Sequence, residues 1–322
     1  MRKVRLGKTG VEVSAIACGT WAHGGPKKVG RVEVGWAGHD DGRAVEALVA
    51  AHEVGITHWD TADAYGNGHA EQLIGGLWER VPRDEIFLAS KVGWDPGPYE
   101  HYYHPRLIEE RIDRSLRYLA TDRIDLFYLH HCDFGPEDRF LDDAVATLRR
   151  ARDAGKIRFL GLSDWSSKKV ARYAPRVEPD VVQPYRNVVD DTYASSGLES
   201  WVDDNDVGVA FFSPLRHGLL LGKYGKPTRF PEGDHRNRIA EFGDGEALAR
   251  LRDCRAAVER RFPGRSKAVL HALTGALLSG APTACVLLGM RRRRHAEDAA
   301  GLGEPLSAED AAWVRQLYNA PG

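Results

Sequence analysis

The chain has little that would point to an extracellular, membrane-embedded or nucleic-acid-bound protein. Among 322 residues there are only four cysteines, Cys18, Cys132, Cys254 and Cys285, and no Cys-x-x-Cys pair. Scattered in apolar contexts, they read as reduced thiols of a cytoplasmic protein rather than as a disulfide framework. The N-terminus, Met1-Arg2-Lys3-Val4-Arg5, lacks the apolar run of a signal peptide. No stretch reaches the roughly 18 uninterrupted apolar residues of a membrane span. Net charge is nearly absent as well: 45 Lys and Arg against 46 Asp and Glu leave no global field to attract nucleic acid or an anionic membrane. Also missing is a Gly-X-Gly-X-X-Gly turn after the first strand, which argues against a doubly wound open sheet. The expectation is a soluble, cytoplasmic protein with neither nucleic acid nor membrane as partner. Its oligomeric state is not written in these features.

What the chain does have is alternation. Short apolar runs at Ser14–Gly19, Thr57–Thr61, Ile86–Val92, Asp125–His130, Phe159–Ser163, Val181–Pro184, Val207–Ser213 and Cys285–Gly289 read as strands. Several lack polar alternation, as expected of parallel strands buried on both faces. Between them, helical period predicts helices over Asp41–Glu53, Ala70–Arg80, Pro105–Leu119 and Ala144–Asp153, and one from Lys168 capped by Ser166. Eight strand-helix units without a linker make one domain, 1–322, of the α/β class: a (β/α)8 TIM barrel. Val4 to Val13 reads as a hairpin able to plug the barrel's N-terminal end. The long segments Trp21–Asp40 and Arg216–Gly243 follow strands, so they fall on the C-terminal face, where barrel enzymes keep their chemistry.

Chemistry-bearing residues gather at the strand ends. The stretch His58-Trp59-Asp60-Thr61-Ala62-Asp63-Ala64-Tyr65-Gly66-Asn67-Gly68 closes the second strand, Lys91 the third and His130 the fourth. Reducing a carbonyl requires a hydride at carbon and a proton at oxygen. A tyrosine is a workable acid if its phenolate is stabilised, and a nearby ammonium does that. A buried Lys needs a carboxylate such as Asp60 to stay charged, and a His can orient the substrate oxygen. Singly, each has an ordinary structural role: a turn cap, a loop anchor, a solvated Lys, a packed His. Together on one rim, Asp60, Tyr65, Lys91 and His130 read as a catalytic set.

These residues identify a resemblance to the aldo-keto reductase superfamily. It runs from Leu6-Gly7-Lys8-Thr9-Gly10 through Arg291, and its most specific part is Asp60-Thr61-Ala62-Asp63-Ala64-Tyr65-Gly66 with Glu71 and Gly75 following. The resemblance implies a carbonyl reductase that binds NADPH/NADP+ along the barrel's C-terminal rim and takes a small-molecule carbonyl substrate. Tyr65 would be the general acid, Asp60 and Lys91 its tuning pair and His130, rather than His131, the orienting residue. Gly19, Thr20 and Trp21 would form the rim under the cofactor, where Asp60 also lies. Ser163, Asp164 and Gln183 would grip the carboxamide, with Asp164 standing where many members carry Asn. Phe212, where Tyr is commoner, would stack on the nicotinamide, and Ser213, Leu215 and Lys223 would face the pyrophosphate. In Gly289-Met290-Arg291-Arg292-Arg293-Arg294-His295, Gly289 and Met290 lead into Arg291, which would take the 2′-phosphate, with His295 and Asp298 near the adenosine. Trp21, Trp94 and Tyr99 would wall the substrate pocket. No metal is expected, because His101 and His104, or His130, His131 and Cys132, lack the spacing of a zinc site. The alternative the resemblance leaves open is a cofactor-sensing regulatory subunit like the potassium-channel beta subunits.

Overall fold

The computed structural model describes residues 1–29 and 32–320. Eight parallel strands close into a barrel: β1 (Ile16–Gly19), β2 (His58–Asp60), β3 (Phe87–Val92), β4 (Ile124–Leu129), β5 (Ile157–Asp164), β6 (Val181–Pro184), β7 (Gly208–Phe211) and β8 (Ala284–Gly289). They pair in chain order, and β8 returns to β1 with Gly289 opposite Gly19. All eight expected strands are therefore present, Val181–Pro184 with the expected bounds and the others with ends moved by one or two residues. The missing polar alternation has its reason in burial: every residue of β3 and β4 is buried, because helices cover the outside while side chains fill the inside.

Helices occupy the connections. Asp41–Glu53 forms with the expected bounds, and its N-cap Asp40 accepts from the Arg43 amide. Ser166 likewise caps Ser167–Val177 by accepting from Lys169 N–H. The helix expected over 70–80 instead runs His69–Gly75. At Gly75 the chain passes so close to the next connection that a Cβ would sit 2.2 Å from the Tyr118 carbonyl oxygen, and the helix gives way to turns.

The N-terminal hairpin pairs Lys3–Arg5 with Glu12–Ser14. Its Val4, Leu6 and Val13 are buried with Phe87, Leu126, Tyr128 and Val181 inside the barrel, so it plugs the end opposite the strand C-termini. The long segment after β1 holds a short antiparallel pair, Lys28–Val29 with Val32–Glu33. It also meets the segment after β7 through a bridge between Gly35 and Asp234. All four cysteines are free and buried. No helix among the described residues is long and apolar enough to cross a membrane.

Candidate active site

Parallel strands of one barrel put all their C-terminal ends on one rim, and the catalytic candidates meet there. Lys91 on β3 is fully buried, as is Asp60 at the end of β2. The Lys91 ammonium donates to Asp60 Oδ1 at 2.5 Å and to the Thr61 carbonyl at 2.7 Å, and lies 3.5 Å from the Tyr65 hydroxyl. Its three N–H donors thus have three directions to point. Gln183 on β6 donates to Asp60 Oδ2 at 2.8 Å, so each carboxylate oxygen has its own partner. Burial pulls the Lys91 pKa below its ordinary value, and Asp60 opposes that pull. An isolated ammonium in this position would shed its proton.

Tyr65 opens a turn in which Gly66, Asn67 and Gly68 all adopt left-handed backbone, with φ of 62°, 56° and 95°. Glycine is required at the flanking positions. A Cβ on Gly66 would lie 2.5 Å from the Gly24 carbonyl oxygen, and one on Gly68 would lie 2.4 Å from the Tyr118 ring. The turn swings the phenol over the barrel, stacked against Trp21 with ring centroids 6.4 Å apart. His130, immediately after β4, meets the Tyr65 ring edge-on at 5.8 Å. His131 instead bonds the Gly93 carbonyl.

The electrostatics differ from the expectation in one respect. The Tyr65 pKa is pushed well above 10, first by burial and then by Asp60 and Asp63. The net direction is thus upward, although the Lys91 ammonium lies 3.5 Å from the hydroxyl. His130 is pushed well below its ordinary value by burial, then by Lys91, His131 and Lys27, so it is neutral at physiological pH.

A cleft of about 1440 Å³ opens over this group. Gly19, Trp21, Asp60, Tyr65, Trp94, His130, Ser163, Gln183, Phe212, Ser213, Leu215, Lys223, Gly289, Met290, Arg291, His295 and Asp298 all line it. Four expected residues do not. Lys91 lies fully buried beneath the floor, behind Asp60 and Tyr65. Thr20 is buried beneath the rim, its hydroxyl donating to the Asp60 carbonyl at 3.0 Å. Asp164 has both oxygens occupied, accepting from the Cys132 and Ser166 amides at 2.7 Å each. Tyr99 donates to Glu110 at 2.5 Å and stacks on His104, outside the cleft.

Several lining residues escaped the sequence. Trp165 stands edge-on to Phe212 at 4.9 Å, and Trp36, His217, His235, Arg236 and Lys27 come from the two long loops. Trp165 directly follows Ser163-Asp164 and could have been found by extending the strand-end argument one turn. The loop residues carry no period to read. Trp94 and Trp165 are each 43% exposed, as walls of an open cleft are. Apart from the cleft, His39, Asp41 and His69 bring possible ligand atoms within 4.8 Å of one another, with His69 bonded to Asp41 at 2.9 Å.

A sequence profile described as Aldo/keto reductase family matches residues 15–319. The chain belongs to the aldo/keto reductase family. Among curated relatives it is 30% identical over 319 residues to the Aldo-keto reductase YhdN of Bacillus subtilis, covering 96% of this chain and 91% of that one. It is 28% identical to the NADH-specific methylglyoxal reductase of Escherichia coli, covering 74% of each chain. Among solved structures, the glycerol dehydrogenase AKR11B4 of Gluconobacter oxydans superimposes with a TM-score of 0.80 at 25% identity, covering 99% of this chain and 97% of that one. The curated relatives also include a probable voltage-gated potassium channel subunit beta of Arabidopsis thaliana, 27% identical over 70% of this chain and 67% of that one. Aldo-keto reductases act on small-molecule carbonyls with nicotinamide cofactors.

The rim has what a dinucleotide of that kind needs. The Ser213 hydroxyl lines the cleft, buried and without a hydrogen-bond partner among the described residues. It sits at a left-handed backbone position (φ 59°), and a phosphate oxygen would satisfy it. Phe212 presents a half-buried ring beside Gln183 and Ser163, and Lys223 and Arg291 supply positive charge further along.

Proposed function

We propose that this protein is an NADPH-dependent carbonyl reductase in which Tyr65 delivers the proton. The observation that carries the reading is the fully buried Asp60–Lys91 pair with its ammonium 3.5 Å from the Tyr65 hydroxyl, on the floor of a cleft large enough for a dinucleotide. Bound NADPH would supply the hydride to the carbonyl carbon. Every other contribution comes from the chain. Tyr65, with its pKa held high, keeps its proton at neutral pH until a substrate oxygen needs it. Lys91 stabilises the charge that then develops on the phenol oxygen, and Asp60 keeps Lys91 charged. Neutral His130, its Nδ1 buried without a partner among the described residues, orients the oxygen beside Tyr65. Trp21, Trp94 and Trp165 wall the approach with apolar surface.

Phe212 would stack on the nicotinamide, with Ser163 and Gln183 at its carboxamide. Asp164, spent on two backbone amides, acts as a tie between the β4 and β5 loops. Ser213, Leu215 and Lys223 would face the pyrophosphate. Gly289, Met290, His295 and Asp298 would flank the adenosine, and Gly19 would lie beneath. The concentration of cations at the far end of the cleft favours the phosphorylated dinucleotide over NADH. Tyr99 has no part in the substrate wall.

Tyr65→Phe tests the assignment. Reduction of simple aldehydes, followed by NADPH absorbance, should fall about 10²–10⁴-fold, the usual worth of a positioned general acid, while NADPH still binds. Unchanged turnover would refute the mechanism. Steady-state turnover by the unmutated protein would also exclude a cofactor-sensing subunit, which binds cofactor but turns over very slowly.

A further inference from the structure

The four consecutive arginines after β8 do not act alike. Arg293 is ion-paired with Glu46, Glu53 and Glu297 on the outer surface. Arg291 is also engaged. Its Nη2 donates to the carbonyls of Ala37 at 2.6 Å and Gly38 at 2.8 Å, and its guanidinium lies 5.7 Å from the Trp36 ring centroid. That side chain ties the segment after β1 down onto the loop after β8. Arg292 and Arg294 form no ion pair among the described residues.

Behind the tie lies a recess of about 250 Å³, walled by Arg43, Lys223, Arg291, Arg292 and Arg294 with one carboxylate, Asp40. Asp40 is already used as a helix cap, accepting from Arg43 N–H at 2.8 Å. Lys223, Arg291, Arg294 and His295 line both this recess and the main cleft, so the two spaces are neighbours separated by these side chains. Arg43 belongs to the helix after β1 and lies far in sequence from the arginine run. It too has no ion pair among the described residues. Gathering these cations costs electrostatic energy, visible in its effect on neighbours. His295 is pushed down to about 4 by burial and then by Arg294, Lys223 and Arg292, and Lys223 is pulled below its ordinary value by burial, Arg236, Arg294 and Arg291. A dianionic phosphomonoester would offset that repulsion through charge-assisted bonds in the fork geometry that guanidinium provides.

We propose that the recess is a phosphomonoester seat in which Arg43 and Arg294 read the 2′-phosphate of NADPH, while Arg291 is a positioning residue that holds the roof in place. The inference rests on the NADPH reading above and reassigns the 2′-phosphate contact away from the residue that the family resemblance indicates. Specificity then depends on a residue outside the β8 segment.

The test is titration of the protein with NADPH and NADH, read by tryptophan fluorescence, for Arg43→Ala, Arg294→Ala, Arg293→Ala, Arg291→Ala and Arg291→Lys. Losing one charge-assisted contact should weaken NADPH about tenfold in Arg43→Ala and in Arg294→Ala. NADH affinity should stay unchanged, which also serves as the fold control. Arg293→Ala should move neither. Arg291→Ala should weaken both dinucleotides equally, and Arg291→Lys, still able to donate to the two carbonyls, should restore them. Competition by 2′,5′-ADP but not by 5′-AMP or inorganic phosphate would assign the seat to the nucleotide's 2′-phosphate. Inorganic phosphate competing as well as 2′,5′-ADP would overturn that assignment. If the unmutated protein prefers NADPH and neither Arg43→Ala nor Arg294→Ala changes the NADPH/NADH ratio, the recess is not the seat. If the unmutated protein shows no preference, the NADPH reading itself fails.

Discussion

Asp60→Asn isolates the electrostatic role of the buried pair better than removing Lys91 does. The amide keeps the shape but offers one acceptor oxygen where the carboxylate offers two. The Lys91 ammonium and Gln183 Nε2, now on separate oxygens at 2.5 and 2.8 Å, would compete for it. Keeping Lys91 charged without its partner costs about 3–5 kcal/mol, the penalty for breaking a buried ion pair. Neutralising a lysine at pH 7 requires its pKa to fall about 3.4 units from the ordinary value, which is about 5 kcal/mol at 1.36 kcal/mol per unit. The two costs are comparable, and burial already pulls Lys91 down, so without the Asp60 charge the lysine should lose its proton at a lower pH than in the parent. A lysine with a lowered pKa loses its charge as pH rises through that value. The variant's kcat/KM should therefore be reduced at least about 100-fold at about pH 8 and recover toward about pH 6 as Lys91 regains its proton. The assay is NADPH consumption with a simple aldehyde across that range, alongside urea unfolding to confirm the fold. A reduction equal at every pH would refute the idea that Asp60 acts by keeping Lys91 charged.

How far the sequence could be read depended on whether tertiary structure reuses a local pattern. The barrel strands were legible because parallel strands buried on both faces must be apolar throughout, as Phe87–Val92 and Ile124–Leu129 are. Asp60, Tyr65, Lys91 and His130 were legible because strand ends are fixed points of a barrel, so residue type and position together determine the rim. Beyond strand ends, local pattern stops informing. Asp164 is at the right strand end, yet its side chain turns to the Cys132 and Ser166 amides, a choice set by the neighbouring loop. Arg291 lies where expected, but the carbonyls it meets belong to residues about 250 positions away. The net rise in the Tyr65 pKa was equally hidden, since it depends first on burial and then on the charges of Asp60 and Asp63.

Three further outcomes are expected. Trp165→Ala should raise KM for bulky aromatic aldehydes more than for short aliphatic ones, because the indole walls the cleft against Phe212; equal effects on both classes would remove it from the substrate wall. Gly161→Ala should destabilise the barrel by about 1–3 kcal/mol, the usual cost of overpacking, since its Cβ would lie 2.2 Å from the Tyr128 ring; an unchanged urea midpoint would contradict that packing. Glu71 provides the pH-dependent case. It is fully buried, its carboxylate accepts from the Ser90 hydroxyl at 2.6 Å, and burial raises its pKa from 4.5 to about 7. A carboxyl with a raised folded pKa binds its proton more tightly in the folded than in the unfolded state. Its contribution to stability is therefore greatest below about pH 4.5, declines as pH rises to about 7 and is constant above. The shift is worth about 3 kcal/mol at 1.36 kcal/mol per unit. Glu71→Gln removes the titration, so the stability difference between variant and parent in urea should move in the variant's favour by about that amount between about pH 5 and about pH 8. A difference that stays constant over this range would show that Glu71 is already ionised in the folded protein.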